Sequence, residues 1–408
     1  MRSPSNPFRS LPREVAVLAA VAFAVALGFG VVAPAIPLFA REFGVGRTAA
    51  GAVVSAFAAM RLASALLGGR LVDRYGERLV LATGIGIVAV SSLLAGLAQS
   101  YAQLLVLRGV GGVGSAMFTV SAVSLVLRVV GPDQRARAMG VYQGGFILGG
   151  IAGPAFGGAL AGGSLRAPFF VYAATLAAAG AIGMVFLRAA HLGEAPAQGT
   201  AAPERTTLRQ SLGLASYRAA LVTNLGVGWV LLGLRASLLP LFVVEGLGRD
   251  PFWTGVGLVV SALGQAALLL PAGRVADTVG RRPAMLLGGV LAVGSTATLA
   301  LSTSVVAYVL AMVAFGAGFA FLGTAPAAVV GDVAPGRGGT SVAAFQMASD
   351  LGAVVGPVLA GALADSVSYG AAWGASAGVL AAGLLLTAVM PETRRAAPAG
   401  PVAGHRPG

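Results

Sequence analysis

Very few side chains in this 408-residue chain are equipped for chemistry, and their types exclude most kinds of it. There is no Cys, which removes disulfides, thiol catalysis and cysteine metal sites. The two histidines, His191 and His405, lie outside every long apolar run. No histidine metal site is therefore expected, and no cofactor. Neither a nucleophile–base pair nor a Walker-type phosphate loop is present, so an enzyme is not expected either. What remains is one carboxylate and three guanidiniums inside long apolar runs: Asp350, Arg61, Arg108 and Arg235. An ionisable group in hydrocarbon is a functional hypothesis by default, because it is costly to keep there. Asp350 lies about ten residues into its run, or ~15 Å at the helical rise, close to the middle of a ~30 Å core. A carboxylate at that depth resists ionisation, which makes it a candidate proton carrier. Arg108 lies about seven residues, or ~10 Å, into its run. Its structural alternative is a side chain that snorkels to the headgroups.

Such groups need elements that hold them in an apolar medium, and the composition supplies those. Charged residues are 10% of the chain, against roughly 25% in a soluble globular protein. The hydrophobic share is 57% and the mean hydropathy +0.87. A soluble surface could not be covered with so few charges, and disorder requires far fewer apolar residues. Glycine, 61 of 408 residues, is about twice its usual ~7%, as suits closely packed membrane helices. Runs of about 20 apolar residues give twelve spans, numbered in chain order: 15–40, 48–69, 79–98, 102–127, 139–162, 167–188, 218–243, 252–272, 283–303, 305–330, 340–364 and 368–390. The first is too long and too rich in Gly and Pro for a signal peptide.

With the N-terminus inside, twenty Arg fall in inner segments and four, Arg41, Arg47, Arg166 and Arg249, in outer loops. The positive-inside rule then sets both termini in the cytoplasm. It also accounts for the net charge of +13 without a nucleic-acid partner. Every cation is Arg and none is Lys, which hints at a GC-rich bacterial source. The expected organisation is a cytoplasmic tail 1–13, a six-helix bundle 14–188, a cytoplasmic linker 189–216, a second bundle 217–391 and a tail 392–408.

The two halves repeat. Gly69-Arg-Leu-Val-Asp73-Arg74-Tyr-Gly76-Glu77-Arg78 follows span 2, and Gly273-Arg-Val-Ala-Asp277-Thr-Val-Gly280-Arg281-Arg282 follows span 8, 204 residues later. Gly153-Pro154 and Gly356-Pro357 lie 203 residues apart, as do Gln143 and Gln346. Internal repeats of this kind mark transporters that alternate access between their halves.

These motifs are where the chain resembles the major facilitator superfamily, and within it the 12-span drug:proton antiporters. Gly69, Leu71, Asp73, Arg74, Gly76 and Arg78 resemble the family's loop after span 2, with Glu77 where a basic residue is usual. That departure is expected to weaken the loop's charge pairing. Arg108 with Gly109, Gly112 and Gly114 resembles the span 4 motif, with Gly111 in place of Gln. Gly149, Gly153, Pro154, Gly157 and Gly158 match the antiporter signature of span 5 at every fixed position. Leu27-Gly28 and Pro34-Ala-Ile-Pro37 resemble the span 1 pattern.

The resemblance implies an all-α membrane protein of twelve transmembrane helices in two pseudo-symmetric six-helix bundles. It implies a proton-coupled secondary transporter that exports small amphipathic molecules, acting as a monomer in the cell membrane. The alternatives are an uptake symporter of the same fold and a non-transporting membrane sensor or enzyme. By resemblance, Gly69, Asp73, Arg74, Gly76, Arg78, Gly273, Asp277, Gly280 and Arg281 latch the halves together. Arg108 is linked to proton transfer, and the span 5 motif is linked to sealing the interface and favouring exchange. Spans 2 and 11 adjoin in that fold, so Asp350 is expected to pair with Arg61, about thirteen residues into span 2. The alternative for the pair is a purely structural one. Asn224, Arg235, Gln143, Gln346 and Trp229 are expected to face the central cavity, with Tyr142, Phe146 and Phe345 as apolar lining. Three intramembrane Arg against one acid disfavour a permanent organic cation, and neutral amphiphiles or anions fit better.

Overall fold

Without water, a spanning segment must satisfy its own backbone hydrogen bonds, and only helices and closed barrels do so. The computed structural model describes residues 11–130, 134–186, 208–333 and 339–393, and among them every regular element is helical. Twelve helices are long and apolar enough to cross a membrane. Span 1 is Arg13–Val32 continued by Ala35–Arg41, with the interruption at Pro34. Spans 2 to 6 are Arg47–Tyr75, Glu77–Gly96, Tyr101–Arg128, Arg135–Gly163 and Ala167–Phe186. Span 7 starts as Ala215–Val227, widens into a π-helix at Gly228–Leu234 and resumes at Leu238–Leu241. Spans 8 to 12 are Phe252–Thr278, Arg281–Leu301, Val305–Val333, Gly339–Ser366 and Tyr369–Val389. Most of the linker expected at 189–216 lies outside the described residues. Its last part is helical: Leu208–Gly213 is a short helix, and span 7 begins three residues earlier than expected.

The packing repeats as the sequence does. Spans 1 with 5, 1 with 6, 2 with 4, 3 with 4 and 3 with 6 are neighbours, and so are 7 with 11, 7 with 12, 8 with 10, 9 with 10 and 9 with 12. Span 2 meets span 11 across the halves, and span 5 meets span 8. These two junctions exchange under the same pseudo-two-fold relation. The cores are largely separate. One gathers Leu18, Phe39, Ile85, Tyr142, Phe169 and Leu176, and the other Val230, Leu239, Phe315, Phe319 and Trp373. Each half thus has a core mostly its own, with Ala236 and Leu241 of the second half joining the first one.

Glycines make the tight contacts. A Cβ on Gly145, Gly149, Gly153 or Gly157 would strike the backbone of span 1, at Ala19, Phe23, Leu27 and Val31 respectively. The four-residue spacing puts all four on one helix face. This corrects one expectation. Most of the span 5 motif seals span 5 to span 1 within its own half. Only Gly158 and the Pro154 carbonyl reach the other half, at Gly255 of span 8. Helix Arg135–Gly163 runs through Pro154 without a break.

Replacing Gly153 with Leu should force spans 1 and 5 apart and cost about 1–3 kcal/mol, as overpacking does. Thermal unfolding of the solubilised protein should show a lowered Tm. Gly140→Ala, whose added carbon meets nothing within 4 Å, should leave Tm unchanged.

Candidate functional site

Three sets of charged side chains stand out, two of them along the junction between the halves. The first is near the middle of the spans. Arg61 Nη2 donates to Asp350 Oδ1 at 3.1 Å, joining span 2 to span 11. The two expected partners are therefore in contact. Both side chains are partly exposed, at 38% and 28%. The seal continues from there toward the face opposite the chain ends. Ser55 Oγ donates to the Val354 carbonyl at 2.6 Å, Gly51 packs against the Pro357 carbonyl, and Gly361 packs on Arg47 and Thr48.

The second set closes that far face. Glu245, in the π-helical turn Phe242–Gly246 that ends span 7, accepts from Arg41 Nε and Arg47 Nε at 2.8 Å each and from the Tyr369 hydroxyl at 2.8 Å. Arg47 also donates through Nη1 to the Ala364 carbonyl at 3.0 Å and lies over the Tyr369 ring at 4.7 Å. Asp365, at the end of span 11, accepts the backbone N–H groups of Arg47 and Thr48 at 2.8 Å and the Thr48 hydroxyl at 2.7 Å. It caps the N-terminus of span 2 from the opposite half, supplying the acceptor that Gly46 at the N-cap lacks. A Cβ on Gly46 would sit 2.8 Å from that carboxylate. The hydrogen bonds and ion pairs described between the halves run from this face to Arg61–Asp350. They close the far face.

Sequence reasoning missed this gate. Its signal was present: four acids accompany four Arg in the loops assigned to the far side. That near balance invites pairing, where the inner segments hold a large excess of Arg.

The third set is Arg108 and Arg235. Arg108 is 3% exposed, so it does not snorkel. Its guanidinium lies 4.5 Å from the Phe57 ring centroid, and its Nε has no partner among the described residues. Arg235 lines a cavity of about 240 Å³ between spans 5, 7 and 8, shared with Phe146, Ile151 and Gln265. The other expected cavity residues divide. Asn224 is buried and donates to the Phe345 carbonyl at 2.6 Å, tying span 7 to span 11. Trp229 donates to Ser376 Oγ at 3.1 Å and borders a separate apolar hollow with Leu359, Leu363 and Val379. Both are structural in this conformation. Tyr142 and Phe345 are also buried. Gln143 and Gln346 are exposed, on the halves of spans 5 and 11 nearer the chain ends.

The repeated loops turn where expected, with Gly76 at φ +81° and Gly280 at φ +146°, a region open to Gly. Gly69 and Gly273 have nothing near their missing Cβ. The described contacts of these loops stay within each half. Arg281 pairs with Asp277 and Asp332, Arg78 donates to the Met184 carbonyl at 3.0 Å, and Arg74 lies over Tyr75. The side chain of Asp73 lies outside the described residues. Glu77, buried at the foot of span 3, accepts from Arg128 Nη1 at 2.9 Å and 3.0 Å.

The gate has a predictable pH dependence. Burial pushes the Glu245 carboxyl up, but donation from Arg41, Tyr369 and Arg47 outweighs it and holds the group below its ordinary value. Opening removes those donors, so the closed form binds fewer protons at Glu245. Closure from this group is then complete above the ordinary carboxylate value of about 4.3 and is lost as pH falls below it. Spin labels on Glu42→Cys and Arg249→Cys, in this Cys-free chain, should report a short far-face distance near neutral pH. Glu245→Gln, or acidification below about pH 4, should lengthen and broaden it.

The sequence model of the Major Facilitator Superfamily matches residues 18–261 and 233–407. Curated relatives include multidrug resistance protein 2 of Bacillus subtilis (strain 168), 32% identical over 165 residues, which are 40% of this chain and 41% of that one. Quinolone resistance protein NorA of Staphylococcus aureus (strain MRSA252) is 29% identical over 177 residues, 42% and 43% of the two chains. The chain thus spans about two fifths of the length of these relatives. Among solved structures, a bacterial homolog of the human lysosomal transporter Spinster, in an inward-facing and unoccupied conformation, has a TM-score of 0.70 at 17% identity, covering 94% of this chain and 96% of that one. A POT family transporter in complex with a thioalcohol conjugated peptide has a TM-score of 0.75 at 13% identity, covering 94% and 99%. At such identities the likeness speaks for the fold alone. With the family match over nearly the whole length and twelve apolar spans in two related bundles, the chain belongs to the major facilitator superfamily and is a multi-pass membrane protein.

Proposed function

We propose that the protein is a proton-coupled exporter of small amphipathic molecules that alternates access between bundles 14–188 and 217–391, linked by 189–216. The observation that carries this reading is the Arg61–Asp350 pair. Among the described residues it is the deepest charged contact between the halves, its side chains are partly exposed, and parting the halves breaks it. Protonating Asp350 removes its charge and releases Arg61, which couples proton uptake to opening. The arginine bias supports cytoplasmic termini in the cell membrane. On that orientation the described state is open to the cytoplasm, and the far-face gate is the outer one. The loops at Gly69–Arg78 and Gly273–Arg281 then serve as the latch of the opposite state, in which the cytoplasmic face closes. Arg108 supports coupling as a buried charge in the first bundle that rests on Phe57 and pairs with no acid among the described residues. The relatives named for multidrug and quinolone resistance support export as the direction. The protein is proposed to act as a monomer on its substrate and proton.

Everted vesicles with an acidic interior should accumulate a fluorescent quinolone when they carry the protein. Asp350→Asn should reduce this to the level of empty vesicles, with unchanged expression. Full gradient-driven uptake in that variant would remove Asp350 from coupling. Accumulation only in right-side-out vesicles with an acidic exterior would replace export with symport.

A further inference from the structure

The pocket at Arg235 has a chemistry that the reading above leaves open. It lies between spans 5, 7 and 8, about halfway through the membrane helices. Contacts of Gly158 and the Pro154 carbonyl with Gly255 close its far-face side. Its walls are apolar, with Phe146, Ile151 and Leu269 among them, and its two polar side chains are Arg235 and Gln265. No acid lines it. A guanidinium offers five N–H donors. Among the described residues Arg235 makes one hydrogen bond, from Nη2 to the Leu258 carbonyl at 3.4 Å, longer than the ordinary range of about 2.7–3.2 Å. It makes no ion pair there. The one acid deep in a span, Asp350, is committed to Arg61 at the other junction. Arg108 is no rival as a ligand site, because it is buried against Phe57 within the first bundle.

A fixed, uncompensated cation at the end of a partly enclosed apolar pocket attracts an anion and repels a cation, more strongly than in water. We propose that this pocket binds amphipathic monoanions: a carboxylate or sulfonate carried on an aromatic or branched apolar body. The guanidinium fork of Arg235 takes the anionic group. Phe146 and Ile151 take the apolar body, and Gln265 adds a hydrogen bond. A volume of about 240 Å³, at the small end of ligand pockets, suits a body of about two fused rings. This assignment rests on the transporter reading and names its substrate class.

The test is equilibrium dialysis of three probes with one body, namely naphthoate, naphthylmethanol and naphthylmethylammonium. The full chain is held in nanodiscs of zwitterionic lipid at neutral pH without a gradient, and empty discs are subtracted. The wild type should bind naphthoate about tenfold more tightly than the alcohol, with the ammonium weakest. Arg235→Gln should bring the acid and the alcohol to equal affinity, and Arg235→Lys should keep part of the preference. Ala266→Phe, which fills the pocket and leaves its charge, should weaken all three. If Arg235→Gln does not give a monodisperse protein, Arg235→Lys and Ala266→Phe still decide. Equal affinities in the wild type, a preference for the ammonium, a preference that survives Arg235→Gln, or full binding by Ala266→Phe would each overturn the assignment. Because binding is read without a gradient, its failure leaves the export reading standing. Failure of vesicle transport with the naphthoate preference intact overturns export and not this site.

Discussion

The cost of holding a charge away from water governs this molecule. It explains why so few charges enter the spans, and it dictates what each one touches. Arg61 and Asp350 neutralise each other. Glu77, buried at the foot of span 3, is met by Arg128. Arg108 rests on an aromatic face, where the ring quadrupole offsets part of the lost hydration. Arg235 has none of these compensations and borders a cavity instead. Charges matched within one half hold that half together. Charges matched across the halves hold a conformation, because they separate when the halves do.

Glycine solves the complementary problem of bringing helices close without a hydrophobic drive. Within each half its contacts are permanent, as in the face of span 5 against span 1 and of Gly352 and Gly356 against span 7. Between the halves they are few and small: Gly158 on Gly255, Gly51 on the Pro357 carbonyl, and Gly361 on the start of span 2. Backbone-to-backbone contact of this kind is smooth and carries no interlocked side chains. Such surfaces part without side-chain repacking, so the polar groups at the rim decide when they do.

The spans were legible because a charge-free apolar run in this chain has no alternative to a transmembrane helix. The repeat was legible because Gly69 and Gly273, and Gly153 and Gly356, recur at nearly one offset. The Arg61–Asp350 contact followed from depth counting together with the expected adjacency of spans 2 and 11. The far-face gate was not legible, since Glu245 and Asp365 take partners about 200 and 320 residues away, and only the assembled bundles set those distances. Asn224 and Trp229 failed for a different reason. A polar group on a membrane helix is satisfied equally well by a neighbouring helix or by a cavity, and sequence spacing does not distinguish a Phe345 carbonyl from a ligand. The partner of Glu77 was not legible because Arg128 lies at the end of another span.

Arg47 engages Glu245, Tyr369 and the Ala364 carbonyl through one side chain, while its own backbone N–H is held by Asp365. These acceptors belong to separate elements of the second half, so no single one can be given up while the rest keep their geometry. Parting the halves here separates all of these groups together, and packed interfaces of this kind tend to be bistable rather than graded. Salt screens the paired charges and so weakens the far-face closure.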